Sequence, residues 1–428
     1  MKSFTLFAAI IWILFFAPDG AFADWPEFRG PSRDGHAVQD QALPVKWSEK
    51  ENVKWKTAIH GAGWATPVVM EGKVWVETAS EDGRTMSVLC IDQKSGKVLL
   101  DRVLITNDNP EPLSNKINNY AACSPAVEKG RVYLHFGSYG TICLDTKSYA
   151  EIWRRTDLRC SHWRGPGSSV AMWRNFVILT FDGADRQYLA ALDKKTGKTI
   201  WVRDRSTDFG DLDDKGRPAN SGDMRKAYST PVFINDGEKD IMISVGAKAC
   251  WAYNPDTGEE LWNVNVPQHS TSSRPVYNEK LKLLYINTGL GKPQLWAVRV
   301  DAKARGDISG THVEWKLLKR VPKQSSPLLL GDELYLAADT VGSCVDAKTG
   351  KVLWSERMEG TVTASLLYGG GNIYFFNEDG GATVVKPGRE YQLSAKNQLD
   401  DGSLASPAAS DGALFVRSKN FLYRIGGE

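Results

Sequence analysis

The stretch DKKTGKTIW, residues 193–201, decides the fold because it returns several times along the chain. Three near-copies end in Trp at the same offset: DTKSYAEIW at 145–153, NPDTGEELW at 254–262 and DAKTGKVLW at 346–354. A fainter copy, DQKSGKVLL at 92–100, has Leu in place of the Trp. Self-similarity of this kind is typical of solenoids, propellers and arrays.

The chemistry of the stretch predicts a tight β-hairpin. Asp193 can accept hydrogen bonds from the backbone ahead of it, and Gly197 tolerates a positive φ. The apolar run YLAAL (188–192) precedes the turn. The strand after the turn alternates in polarity and places its Trp where it can pack on a neighbour.

A second mark lies upstream of each hairpin, where a residue followed by Pro precedes a short apolar run. The pairs are Thr66-Pro67, Ser124-Pro125, Thr230-Pro231, Arg274-Pro275, Ser326-Pro327 and Ser406-Pro407, and Ser169-Val170 and Ser365-Leu366 keep the position without Pro. A further strand, such as GKVWV or GNIYFF, lies between the two marks. Each unit therefore predicts four short strands, and the chain holds eight units.

The last unit indicates how the repeats close. It begins near Leu404 and ends after three strands at Ile425, without the hairpin that carries the Trp. Residues 52–56, NVKWK, have the form of the missing strand. A loose β-sandwich array would leave this complement unexplained. We therefore predict an all-β, eight-bladed β-propeller of four-stranded antiparallel blades, whose last blade is closed by an N-terminal strand and which avoids long exposed sheet edges.

The segments before the propeller have different compositions. Residues 1–23 predict a signal peptide, with Lys2, an apolar run at 6–16 and a cleavage site at 21–23. The apolar run is too short for a transmembrane anchor. We expect an exported protein, periplasmic or extracellular, with an arm at 24–51 that wraps an edge of the ring and one propeller domain at 52–428.

Charge and cysteine content exclude some classes of function. The formal net charge is +2, which provides no strong basic patch for nucleic acid. Nothing else resembles a membrane span. Cys90, Cys143 and Cys344 stand at equivalent places in different blades, which are too far apart to bridge, so we expect buried free thiols. Cys123 and Cys160 lie near neighbouring inner strands, and whether they pair stays open.

The connections predict where ligands bind. Four inter-blade connections are long, at 104–119, 155–166, 204–227 and 266–273, and all crossovers of a propeller lie on one face. Residues that open the inner strands should surround the channel mouth on that face. These candidate ligand-binding residues are Trp64, Tyr120, His162, Trp163, Arg164, Tyr228, Arg274, Lys323 and Gln324. Aromatic rings among cations suit a flat anionic or a polyhydroxyl ligand, although each residue alone could instead pack between blades.

Other chemistry finds little support. The acidic loop DFGDLDDKGR at 208–217 could hold calcium, but it lacks the ligand spacing of an EF-hand, which favours a solvated loop. His162 could act as a base, yet no nucleophile motif accompanies it. We therefore name no catalytic residue and no metal ligand.

The D-x-x-[ST]-G-x-x-x-W hairpin resembles the repeat of the pyrroloquinoline-quinone-like (PQQ-like) propellers. The opening DWPEFRGPSRDG (24–35) and ENVKWKT (51–57) are similar to the start of many exported members. This family includes quinoprotein alcohol dehydrogenases and a propeller lipoprotein of outer-membrane protein assembly.

The resemblance implies two hypotheses. The first is a binding or scaffold module whose channel face takes a protein, peptide or carbohydrate partner. The second is a divergent dehydrogenase that uses pyrroloquinoline quinone and calcium to oxidise an alcohol or sugar. The dehydrogenases carry adjacent cysteines, which this sequence lacks, and their calcium ligands cannot be placed here. The assembly lipoproteins carry a lipidated Cys, which is also lacking near the predicted cleavage site. These departures favour the first hypothesis.

Overall fold

A computed structural model describes residues 24–38, 41–113 and 117–427, so the predicted signal peptide lies outside the described residues. The described chain forms eight antiparallel sheets of four strands, one of which gains a short fifth strand. Its helical content is limited to two short 3₁₀ segments, Gly137–Tyr139 and Ala219–Arg225. The predicted eight-bladed propeller is confirmed.

The strands follow in chain order from β1 (Val53–Ala58). Blade I holds β2 (Val68–Met70), β3 (Lys73–Ala79), β4 (Thr85–Asp92) and β5 (Val98–Thr106). Blade II holds β6 (Ala126–Glu128), β7 (Arg131–His135), β8 (Thr141–Asp145) and β9 (Glu151–Arg155). Blade III holds β10 (Ala171–Trp173), β11 (Phe176–Asp182), β12 (Gln187–Asp193) and β13 (Thr199–Asp204). Blade IV holds β14 (Val232–Asn235), β15 (Asp240–Val245), β16 (Ala249–Tyr253) and β17 (Glu260–Asn265).

The second half of the chain repeats this order. Blade V holds β18 (Val276–Asn278), β19 (Leu283–Asn287), β20 (Leu295–Arg299) and β22 (Val313–Leu317), with β21 (Gly306–Asp307) in its lengthened hairpin. Blade VI holds β23 (Leu328–Leu330), β24 (Glu333–Ala338), β25 (Val341–Asp346) and β26 (Val352–Arg357). Blade VII holds β27 (Leu367–Gly369), β28 (Asn372–Phe376), β29 (Gly381–Val385) and β30 (Leu393–Gln398). Blade VIII holds β31 (Ala408–Ser410), β32 (Ala413–Arg417), β33 (Phe421–Gly426) and β1.

The ring closes as the sequence predicts. Blade VIII has the strand order β1-β33-β32-β31, so β1 is its outer strand. β1 pairs antiparallel with β33, and Trp55 lies opposite Arg424. The Trp55 ring centroid is 6.0 Å from that of Phe415 in β32. The first strand of the ring and the last therefore share one sheet.

The Trp of the repeat joins neighbouring blades. Its indole N–H donates a hydrogen bond to a backbone carbonyl at the outer hairpin of the next blade. The pairs are Trp55 to Gln93, Trp153 to Lys194, Trp201 to Pro255, Trp315 to Ala347 and Trp354 to Gly388, at 3.0–3.2 Å. Blade V lacks the TG turn, and there β21 pairs in parallel with β17 beside Trp262.

The residue before the Pro also joins blades. In most blades its hydroxyl accepts a hydrogen bond from the backbone N–H of the equivalent residue in the preceding blade. The links are Thr66 to Ser124, Ser124 to Ser169, Ser169 to Thr230, Arg274 to Ser326, Ser326 to Ser365 and Ser365 to Ser406, at 2.9–3.1 Å. These buried hydroxyls satisfy backbone donors that would otherwise each cost about 1–3 kcal/mol. A belt of hydrogen bonds therefore surrounds the channel.

The first half of the N-terminal arm lies against inner strands rather than at an outer edge of the ring. Trp25 exchanges two backbone hydrogen bonds with Val69, and Pro26 accepts one from Val127. The buried guanidinium group of Arg29 donates to the carbonyl of Pro327 across the ring. Since these partners belong to blades I, II and VI, the arm fills one part of the channel.

The second half of the arm reaches the outside. The backbone N–H of Trp47 donates to the side chain of Asn397 in β30, the outer strand of blade VII. Only this half follows an edge, as the sequence predicted for the whole arm.

Candidate functional site

The channel contains a cavity of about 750 Å³. Residues that immediately precede the inner strands line it: Thr66, Ser124, Ser169, Thr230, Ser365 and Ser406. Loops between second and third strands contribute Asp339, Glu378 and Lys419. Both kinds of segment lie on the crossover face, and Phe28 of the arm also contacts the cavity. The cavity therefore opens at the crossover face, with the arm beneath it.

Five of the nine predicted ligand-binding residues line this cavity. They are Trp64, Arg164, Tyr228, Lys323 and Gln324. The remaining four, Tyr120, His162, Trp163 and Arg274, are not among the residues that line it. The structure thus brings the two groups to different places.

Trp64 and Tyr228 line the cavity, and each also has a buried polar atom without a partner. The indole nitrogen of Trp64 and the hydroxyl oxygen of Tyr228 are buried and have no hydrogen-bond partner among the described residues. Burial raises the pKa of the Tyr228 phenol, so its O–H remains a donor at neutral pH. Because a buried polar group without a partner costs about 1–3 kcal/mol, a new hydrogen-bond partner for either atom would be favourable.

The predicted cations of the mouth are engaged by carboxylates. Arg164 donates to both oxygens of Asp223, at 2.9 and 3.0 Å, and Lys226 also bonds that carboxylate. The Arg164 hydrogen bonds hold the pKa of Asp223 down to about 2. Lys323 lies 3.0 Å from Asp339. These pairs leave the mouth with little net positive charge at Arg164 and Lys323.

The four residues away from the cavity have structural contacts. Tyr120 donates to the backbone carbonyl of Glu111, and the backbone N–H of Trp163 donates to the Glu111 carboxylate. The Nε2 of His162 accepts from the backbone N–H of Ser138. Burial lowers the pKa of His162 to about 4, so this imidazole is neutral and is engaged inside the protein. Such a group is poorly placed to act as a base on a ligand in the channel.

Arg274 fixes the arm. It is fully buried, and its guanidinium donates to the carbonyls of Pro231 and Phe28. Its Nη2 also lies 3.6 Å from the Glu27 carboxylate. Arg274 therefore supports the residue Phe28 at the cavity rather than the cavity wall itself.

Several lining residues were missed in the sequence. The Ser and Thr residues before the inner strands were recognised as part of the repeat, but the sequence did not predict that they line the channel. Phe28, Glu378 and Lys419 carry no such mark, because the path of the arm and the second-to-third strand loops place them there.

The residues present do not fit a quinone and calcium centre. The described residues hold no group of three or more His, Cys, Asp or Glu side chains arranged for a metal ion. In the acidic loop, Asp211 bonds Arg225, and Asp213 bonds Arg217 at 2.7 Å. All six cysteines are buried and free, so Cys123 and Cys160 do not pair. We derive no chemistry through that cofactor.

The fold and the site define a class: an eight-bladed propeller with a cavity at the crossover face of its channel. A sequence profile of the family described as "Outer membrane protein assembly factor BamB" matches residues 250–425. BamB of Shewanella oneidensis is 21% identical over 69% of this chain and 72% of its own length. Quinohemoprotein alcohol dehydrogenase ADH IIB of Pseudomonas putida is 24% identical over 43% of this chain, which spans only 30% of that protein.

Solved structures agree at the level of fold. BamB from Moraxella catarrhalis superposes with a TM-score of 0.58 at 13% identity, covering 87% of this chain and 99% of that one. A europium-containing methanol dehydrogenase gives a TM-score of 0.65 at 13% identity, covering 93% and 90%. The partial profile match and these relatives support the resemblance to PQQ-like β-propellers that the repeats indicated. Within the described ranges, no helix has the length and hydropathy required to span a bilayer.

Proposed function

We propose that this protein is an exported, non-enzymatic binding module whose ligand enters the cavity at the crossover face. The observation that carries this proposal is a cavity of about 750 Å³ whose wall includes Trp64 and Tyr228, each with a buried polar atom that has no partner among the described residues. A concave aromatic wall with a few polar groups is the usual form of a binding site.

The ligand is a segment of another protein or a peptide, and a carbohydrate is the alternative. The relative named an outer-membrane protein assembly factor supports a protein partner, because an assembly factor acts on other proteins. The dehydrogenase hypothesis is less well supported, since the only imidazole among the predicted mouth residues, that of His162, is buried and engaged.

Purified protein would be screened against a random peptide library and a glycan array. Tyr228→Phe removes only the hydroxyl, and Trp64→Phe removes only the indole N–H and part of the ring. Each should weaken binding by about 3- to 10-fold, as expected for one lost hydrogen bond. Tyr277→Phe, in blade V and outside the cavity wall, is the matched control and should leave the affinity unchanged.

If a ligand bound Tyr228→Phe and Trp64→Phe as tightly as the parent protein, its binding site would lie elsewhere and the proposal would be contradicted. A preference for glycans would select the carbohydrate alternative. A further test adds pyrroloquinoline quinone and calcium to the purified protein. A cofactor absorbance band together with dye reduction by alcohols would contradict the binding-module proposal and favour a dehydrogenase. For the export proposal, the N-terminus of the mature protein should be Asp24, which sequencing of the purified chain would test.

A further inference from the structure

Arg417 is a buried cation without a partner. It is the last residue of β32 and is 1% exposed. Within the part of the chain that the structure describes, its Nε, Nη1 and Nη2 atoms have no hydrogen-bond partner. The charge of Asp401 raises the pKa of Arg417, but that carboxylate already accepts hydrogen bonds from Ser418 and Asn420.

Other buried guanidinium groups of the ring form hydrogen bonds through at least one of their nitrogen atoms. Arg205 bonds both oxygens of Asp182, and Arg274 donates to the carbonyls of Pro231 and Phe28. Burial lowers the pKa of Arg417 to about 10, so the group is still charged at neutral pH. A buried charge with no counter-charge is strongly unfavourable, which is why such groups are nearly always paired. The charge of Asp401 acts on Arg417, but no described anionic group forms a hydrogen bond with its guanidinium.

The backbone of Arg417 lies next to residues of the cavity wall. The hydroxyl of Ser403 donates to the Arg417 carbonyl at 2.6 Å, and the next residue, Leu404, lines the cavity. Lys419, two positions after Arg417, is exposed and also lines the cavity. Blade VIII thus has an exposed cation in the cavity wall and a buried cation two positions before it in the chain.

We propose that Arg417 and Lys419 form an oxyanion subsite of the channel mouth, which takes a carboxylate or phosphate group of the ligand. The guanidinium fork suits planar carboxylates and phosphates through paired N–H bonds, and Lys419 adds a mobile point charge at the entrance. This inference rests on the proposed binding function and specifies its ligand as anionic. Trp64 and Tyr228 would contact the uncharged part of the same ligand.

The test is thermal unfolding of the whole mature protein with inorganic phosphate or glutarate as the probe, at ionic strength matched with sodium chloride. A probe at tenfold excess over its Kd should raise the Tm by about 2 °C. Arg417→Met, which keeps the length but removes the charge, should abolish that rise, and Lys419→Ala should reduce it. Lys348→Ala, an exposed cation in the outer hairpin of blade VI, is the control and should keep the full rise.

A second measurement separates binding from folding. Without any added anion, Arg417→Met should be at least as stable as the parent protein, because the change removes an unpaired buried charge. A response to phosphate alone would indicate a phosphate-bearing ligand, and a response to glutarate alone an acidic peptide or sugar acid. The subsite would be overturned if the Tm rose equally in the parent protein and in Arg417→Met, or if neither probe raised the Tm. A marked loss of stability of Arg417→Met in sodium chloride would overturn it as well. Peptide binding that depends on Tyr228 would survive such a failure, so the two proposals fail separately.

Discussion

At the scale of single residues, one register position carries unusual buried groups. Trp75 and Phe415 lie opposite the inner-strand residues Val68 and Ala408, so Glu77 and Arg417, two positions further on, are equivalent in blades I and VIII. Glu77 is 1% exposed, its Oε1 accepts from a backbone N–H of blade II, and its Oε2 has no partner among the described residues. Burial raises the pKa of Glu77 well above its usual value. The same position thus holds a carboxyl group that resists ionisation in one blade and an unpaired cation in another.

Glu77→Gln should therefore stabilise the protein at alkaline pH and not at acidic pH. Because the folded-state pKa lies above the unfolded one, the proton on Glu77 stabilises the fold below about pH 4, and this contribution is lost as the pH rises through the folded pKa. We expect a gain of roughly 1–3 kcal/mol at pH 8 and no difference at pH 4. Urea unfolding at both pH values measures it, with exposed Glu81→Gln as the control that changes neither. An equal effect at both pH values would show that the ionisation of Glu77 does not matter.

At the scale of the element, the outer hairpin serves two blades. Asp193 accepts hydrogen bonds from the backbone of Lys195 and Thr196, as its place in the turn predicts. Gly197 has a φ of +68°, and a Cβ there would lie 2.7 Å from the indole of Trp153 in the preceding blade. Glycine is thus required twice, by the backbone and by the neighbouring ring.

Gly197→Ala should cost more than a left-handed backbone alone explains. The φ contributes about 1–2 kcal/mol and the displaced indole about 1–3 kcal/mol more. Gly72, in the first hairpin of blade I, has a φ of +76° with nothing within 4 Å of its Cβ position, so Gly72→Ala isolates the backbone contribution. Urea unfolding of both variants gives the difference. Equal losses of unfolding free energy in the two variants would mean that Trp153 moves aside at no cost and that its contact with Gly197 does not hold the blades together.

The hairpin also shows what the sequence could predict at this scale. The turn, its glycine and the alternation of the following strand depend on neighbours within a few residues, so they were read correctly from DKKTGKTIW. The docking of Trp153 on Gly197 and the hydroxyl belt were not, because their partners are copies in the next blade. The sequence of one repeat does not reveal which atoms of the neighbouring repeat it contacts.

At the scale of the molecule, topology located part of the cavity wall. Trp64, Arg164, Tyr228, Lys323 and Gln324 were predicted for the mouth because each opens an inner strand on the crossover face, and each lines the cavity. Phe28 was missed, since the path of the arm follows from buried contacts with several blades. Arg417 was missed as well, because the sequence cannot show that a guanidinium lacks a partner. Local pattern and connectivity therefore predict the wall of the cavity, whereas long-range packing determines what lies beneath and behind it.

Closure between β1 and β33 makes blade VIII different from the other seven blades, because its outer strand precedes blade I in the chain. Trp55 belongs to that outer strand: its indole donates to Gln93 of blade I at 3.1 Å and lies against Phe415 of blade VIII. Trp315 makes the same kind of bond, to Ala347 at 3.2 Å, but its strand β22 continues directly from blade V into blade VI. Separating β1 from β33 separates the first and last strands of the ring, which no short connection joins. β22, in contrast, is joined along the chain to the rest of blade V before it and to blade VI after it.

Trp55→Ala and Trp315→Ala should therefore lose similar stability, about 2–4 kcal/mol for a partly buried indole, but should differ in how they open. Hydrogen exchange measures this directly. In Trp55→Ala the amides of β1 should exchange faster than those of the inner strands, through local release of the closing strand. In Trp315→Ala the amides of β22 should exchange with the rest of the ring. If β1 in Trp55→Ala stays as protected as β19, the closing strand is held by its backbone pairing with β33 alone, and Trp55 does not govern closure.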